Sequence, residues 1–151
     1  MTRHINALGL KILENAEGCR LHAYPDPGSG GAPFTCGWGA TGPDIHRGTV
    51  WTQAQADARL QQDMAKFEEA VSLADANVPT TDNQFSAMCD LAYNIGIGNF
   101  LGSSVLRYHR QGLHAQAASS FMMWTHAAGR ELPGLVTRRK AESALYLRPD
   151  A

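Results

Sequence analysis

Apolar residues recur at helical spacing at the start of the chain, where Ile5, Leu8, Ile12 and Ala16 fall on one face. The spacing predicts a first amphipathic helix over 3–17, with Thr2 as its cap and Gly18 as its stop. Over 19–50 the period shortens. Two aromatic or β-branched runs, Leu21 to Tyr24 and Phe34 to Trp38, are separated by PDPGSGGAP, and the segment holds seven glycines and four prolines. This predicts a small antiparallel sheet with a glycine-rich turn, which needs helices over it to be stable. From residue 51 the helical period returns. Thr52 with Gln55 forms a capping box ahead of a long face of Ala56, Leu60, Met64, Phe67, Val71 and Ala74, which Val78-Pro79 ends. Thr81 with Gln84 opens a second helix with Phe85, Met88, Cys89 and Ala92 inward and a stop at Gly96, apolar enough to be the central core helix. Shorter helices are expected over 103–111, capped by Ser103, and over 114–125 and 135–147. The sum is an α+β fold, mostly helical with one small sheet near the N-terminus.

Length and composition fit that picture. A chain of 151 residues with 44% hydrophobic and 18% charged residues is expected to form one domain, 1–151, made of the first helix 3–17, a β region 19–50 and a helical region 51–148. Three cysteines at irregular spacing, Cys19, Cys36 and Cys89, indicate reduced thiols rather than a disulfide framework or a zinc ribbon. The N-terminal stretch carries a polar residue every few positions, which predicts neither signal peptide nor transmembrane segment.

Net charge is −1, giving no reason to expect nucleic acid as a partner. Its distribution is uneven. Residues 51–100 hold two bases against seven acids, whereas 101–151 hold seven bases against three acids. The basic stretch from Arg138 to Arg148 would attract anionic surfaces such as a cell wall, weakening as salt rises.

Glu17 ends an apolar helix and Asp26 stands in a proline- and glycine-flanked turn, with Thr35 on the following strand. Two carboxyl groups in contrasting settings suit glycoside hydrolysis, in which one donates a proton to the leaving oxygen and the other directs water. By themselves they read first as a solvated helix-end acid and a turn former. Other features weigh less. Gly28-Ser29-Gly30-Gly31 lacks the ending of a phosphate loop and reads as a turn. His22, His46, His109, His114 and His126 lack zinc spacing and read as surface or packing residues.

The longer string is more specific. Glu17-Gly18-Cys19-Arg20-Leu21-His22-Ala23-Tyr24-Pro25-Asp26, followed by the glycine turn and Phe34-Thr35-Cys36-Gly37-Trp38-Gly39-Ala40-Thr41-Gly42, resembles the signature of the phage-type lysozymes, the endolysin family of glycoside hydrolases that includes the T-even and lambdoid enzymes. Ala92-Tyr93-Asn94-Ile95-Gly96 with Ser103-Ser104-Val105-Leu106-Arg107 is similar to the family's central helix and following turn, and Leu132-Pro133-Gly134-Leu135-Val136-Thr137-Arg138-Arg139 to its closing helix. Two departures stand out: a longer turn between Asp26 and Thr35, and Ala40 where many members carry histidine.

The resemblance implies a lysozyme-like fold with its catalytic cleft between the sheet region and the helical body. It implies a muramidase that cuts the β-1,4 bond between N-acetylmuramic acid and N-acetylglucosamine in peptidoglycan and so lyses the host cell. Glu17 would be the general acid, Asp26 the second carboxylate and Thr35 the water-positioning hydroxyl. Arg138 would lie near Glu17 and help orient it, and Tyr93, Asn94, Ser104 and Arg138 would serve substrate binding. No metal and no cofactor is implied. The expected enzyme is a monomer, held in the host cytoplasm until a separate holin opens the membrane and then acting on the periplasmic peptidoglycan.

Overall fold

The first helix starts later than the apolar spacing predicts and turns a different face inward. In the computed structural model, which describes residues 3–150, α1 spans Ala7–Glu17. The expected Thr2 cap lies outside the described residues. Asn6 does that work instead, its Oδ1 accepting from the Gly9 amide at 2.9 Å. The residues before it are held by tertiary bonds, with Ile5 N donating to Glu68 Oε2 at 2.7 Å and Asn6 N to Ser86 Oγ at 2.9 Å. The buried positions of α1 are Gly9 and Leu13, while Leu8 is 39% exposed. A Cβ on Gly9 would come within 2.8 Å of Ser86 Cβ and 2.7 Å of Ile5 Cγ1. Glycine is therefore the contact residue, and a pattern built on side-chain apolarity passes over it.

The described residues divide into two compact units, Glu17–Ala65 and the residues on either side of that segment. In the first, β1 (Arg20–Tyr24) pairs antiparallel with β2 (Thr35–Gly37), with Arg20 opposite Gly37, Tyr24 opposite Thr35 and a bulge between. Residues 49–51 run along the other side of β1, Ala23 N donating to Thr49 O and Trp51 N to Leu21 O. Phe34, Cys36, Ala40 and Ile45 form the core of this unit, with Ala23 and Trp51 packed on it. The α2 helix (Gln53–Ala74) opens with the expected capping box, Thr52 and Gln55 exchanging bonds of 2.8 and 3.1 Å. Arg59 ties α2 to the preceding loop through Asp44 and the Thr41 carbonyl.

In the other unit α3 (Asp82–Ile95) carries the second capping box and is buried at every position from Asn83 to Ala92, the central helix its composition predicts. It is followed by α4 (Ile97–Leu101), α5 (Ser104–Arg110) with Ser103 as its cap, and α6 (His114–Ser120). The helix expected over 114–125 is shorter. It tightens to a 3-10 turn at Phe121–Met123 and gives way to an unexpected hairpin of β3 (His126–Ala127) and β4 (Arg130–Glu131). Ala128 and Gly129 both sit at positive φ, the geometry of a tight two-residue turn. The closing helix α7 (Pro133–Leu147) begins with Pro133 in its first turn and packs on α3. Its basic stretch needs correcting: Arg138 and Arg139 are buried in ion pairs, which leaves Lys140 and Arg148 as the exposed cations. Among the described residues no helix is long and apolar enough to cross a membrane.

One buried polar chain fixes a histidine tautomer in this unit. Thr80 Oγ1 donates to the Val78 carbonyl, so His109 Nε2 must donate to Thr80 at 2.8 Å, and His109 Nδ1 accepts from the Tyr146 hydroxyl at 2.6 Å. Burial, with His114 alongside, pushes His109 down to about 4. Since its unfolded value is near 6.5, the unfolded chain binds the extra proton first as pH falls. The stability contributed by neutral His109 is complete above that value and is lost between about pH 6.5 and 4, by up to about 3 kcal/mol. Denaturant melts at pH 7 and 4.5 should show a steeper loss in the wild type than in His109→Gln; equal slopes would remove His109 as the cause.

Candidate active site

Glu17 is the last residue of α1, where Gly18 at φ 66° turns the chain into β1. Its half-buried carboxyl lies against the turn after β2, close enough that a Cβ on Gly39 would stand 2.5 Å from Oε2 and 3.1 Å from Cδ. That turn is closed by two backbone bonds, Cys36 N to Ala40 O at 3.0 Å and Ala40 N to Cys36 O at 2.9 Å. Trp38 Nε1 donates to Asp57 Oδ1 on α2 at 2.8 Å, and Gln53 donates to the same oxygen. These two donors hold the exposed Asp57 carboxyl below the usual carboxylate range, so it is ionised at neutral pH.

Asp26 and Thr35 stand at the opposite end of the same pair of strands. Thr35 is paired with Tyr24, two residues before Asp26. The long glycine turn folds on Asp26, whose backbone bonds Gly31 O and Gly30 N and whose Oδ2 accepts from the Ser29 amide at 3.0 Å. The extra residues therefore close among themselves, and the pairing of Thr35 with Tyr24 is kept.

The remaining expected site residues belong to the other unit. Tyr93 is half-buried with its ring 5.2 Å from Phe67. Asn94 is exposed, and its Oδ1 accepts from Arg139 Nη2 at 2.6 Å, which leaves the amide group to act as a donor. Ser104 begins α5 and its hydroxyl accepts from Arg107. Arg138 is 4% exposed, with Nε and Nη2 forked onto Asp90 at 3.0 and 2.8 Å. Glu142 completes the group, 3.0 Å from Arg139 Nε and 3.9 Å from Arg138 Nε. Burial, then hydrogen bonding of the protonated Glu142 to the Asp90 carboxylate and the Asp90 charge, hold the Glu142 carboxyl well above the usual range. Sequence reasoning missed Asp90. The signal was present, because an acid in the middle of an otherwise apolar inward run needs a buried partner. Among the described residues no group of three or more His, Cys, Asp and Glu side chains is placed to hold a metal ion.

Comparison with known proteins shows the family to which the chain belongs. The sequence profile described as phage lysozyme matches residues 14–142. The endolysin of Acyrthosiphon pisum secondary endosymbiont phage 1 is 37% identical over 147 residues, which cover 95% of this chain and 97% of that one. The endolysin of Bacillus phage PZA is 37% identical over 142 residues, 94% of this chain, but the chain spans only about half of its length, 54%. Among solved structures, the muramidase domain of SpmX from Asticaccaulis excentricus superposes with a TM-score of 0.87 at 32% identity, covering 97% of this chain and 99% of that one. With the profile matching most of the chain, and with a relative at this identity covered almost end to end, the chain belongs to the phage lysozyme family of glycoside hydrolases.

Proposed function

We propose that the protein hydrolyses the β-1,4 bond between N-acetylmuramic acid and N-acetylglucosamine in peptidoglycan, with Glu17 as general acid. Glu17 gives its proton to the glycosidic oxygen as the C–O bond breaks. Asp26 takes a proton from a water that Thr35 helps to place, and the water oxygen bonds to the anomeric carbon. The balance needs only two carboxyl groups and water. The observation that carries this reading is that β1 and β2 order all three groups: Glu17 lies against the turn at one end of the pair, Asp26 and Thr35 stand at the other. A water between two carboxyl groups requires a separation of about 6.5–9.5 Å and gives inversion at the anomeric carbon.

Tyr93, Asn94 and Ser104 are proposed saccharide contacts, Asn94 as an amide donor whose oxygen Arg139 already engages. Arg138 enters as a brace, since a guanidinium 4% exposed and forked onto Asp90 has little surface for a sugar. Release to the wall through a separate holin, and action as a monomer, belong to the same proposal.

Mass spectrometry of purified peptidoglycan digested by the protein tests the reaction. Fragments ending in reducing muramic acid are expected. Anhydro-muramic ends would replace hydrolysis by transglycosylation and demote Asp26 and Thr35, and undigested peptidoglycan would turn the reading to a wall-binding module.

A further inference from the structure

We propose that Gly39 is a positioning residue for the reaction: the bare face of its backbone is the seat on which the Glu17 carboxyl is held. The inference rests on the reading of Glu17 as the general acid. A glutamate at the end of a helix has three side-chain torsions to order, and a proton donor a fraction of an ångström out of place loses much of its effect. Gly39 supplies a surface that fixes it. A Cβ there would lie 2.5 Å from Oε2, 3.1 Å from Cδ and 3.6 Å from Cγ of Glu17, and these are the three nearest atoms it would meet. Any L side chain at position 39 would thus occupy the place of the carboxyl group.

The seat is itself anchored. Cys36 and Ala40 close the turn with two backbone bonds, and Trp38, the residue before the seat, is pinned to Asp57 on α2. Gly37, two residues earlier, has Trp51 and Ala56 packed where its own Cβ would be. The turn is therefore held on both sides of Gly39, and the place a Cβ would take there is occupied by Glu17.

Positive φ at Gly39, +88°, is a competing reason for glycine, and Gly48 separates the two. Its φ is +89°, and a Cβ there meets nothing within 4 Å. Gly48→Ala bears the backbone strain alone, whereas Gly39→Ala bears the same strain and the collision with the carboxyl.

The test compares melting temperature, kcat and KM of Gly39→Ala, Gly48→Ala, Asp57→Ala and Glu17→Gln on soluble peptidoglycan fragments. The two alanine variants at glycine should lose similar melting temperature. Gly48→Ala should keep kcat within about twofold, and Gly39→Ala should lose about 100-fold in kcat with KM changed by less than about threefold. A merely structural role would move the two glycine variants together. Should Gly39→Ala fail to fold, Asp57→Ala carries the test: it removes the exposed acceptor of the Trp38 indole bond, and a roughly tenfold fall in kcat at unchanged melting temperature is expected. Gly39→Ala with kcat within about threefold of wild type, or unchanged kcat in Asp57→Ala where it stands in, overturns the seat. If Glu17→Gln still cleaves, the assignment of the acid fails; if it is inactive while Gly39→Ala is active, the seat alone fails.

Discussion

Asp90→Ala is expected to lower the stability of the helical unit by about 3–5 kcal/mol, the cost of removing one member of a buried ion pair. Asp90 is 0% exposed and receives two bonds from Arg138, which is itself 4% exposed. Removing the carboxylate leaves the guanidinium where water cannot replace it. Glu142 decides how the cost varies with pH. Two of the causes that hold its carboxyl high, the hydrogen bond and the charge of Asp90, vanish in the variant, while the pull of Arg139 and Arg138 stays. Glu142 should therefore ionise more readily and, 3.9 Å from Arg138 Nε, supply part of the missing counter-charge. The deficit is expected to be larger at pH 4.5 than at pH 8. Paired replacement by apolar residues, Asp90→Leu with Arg138→Met, should cost far less than either change alone, because no charge is then stranded. Urea melts of the three variants check this. A single Asp90→Ala within about 1 kcal/mol of wild type would mean that the fork carries no net stability.

That ion-pair cluster also shows where sequence stops being readable. Thr52 with Gln55, Thr81 with Gln84 and Ser103 are local devices: the cap and its amide lie within one turn, so their bonds can be predicted from spacing alone. The order of Glu17, Asp26 and Thr35 around a small sheet was legible for the same reason, since one strand pair and its turns carry all three. Asp90 and Arg138 stand 48 residues apart, and no local rule joins them. The chain from Thr80 through His109 to Tyr146 is equally long-range. Gly9 and Gly39 were hidden differently. Each matters for the side chain it lacks, and a pattern of apolar positions has no symbol for a contact made by backbone. The second hairpin was missed because Ala128-Gly129 lacks the asparagine or aspartate that usually announces a turn with two positive φ values.

Glu17→Gln is expected to lower turnover on peptidoglycan by about 10²–10⁴-fold, the usual worth of a positioned general acid, with KM little changed. Glutamine keeps the shape that lies against Gly39 and removes only the proton to be given, so binding and fold should survive. A loss of activity alone would not separate a proton donor from any other essential residue, but the leaving group does. The acid is needed because a sugar alkoxide leaves poorly; an oligosaccharide carrying an acidic phenol in its place leaves without being protonated. On that substrate Glu17→Gln should recover to within about tenfold of wild type, whereas Asp26→Asn, which still has to bring in water, should remain down by about 10²-fold or more. The first-formed sugar should be the α-anomer if Asp26 directs water to the face opposite the leaving group, which nuclear magnetic resonance of the early product reads directly. Retention of the β-anomer would assign Asp26 as a nucleophile. Equal failure of both variants on the activated substrate would take the proton-donor role from Glu17, because no step that needs its proton is left there to explain the loss.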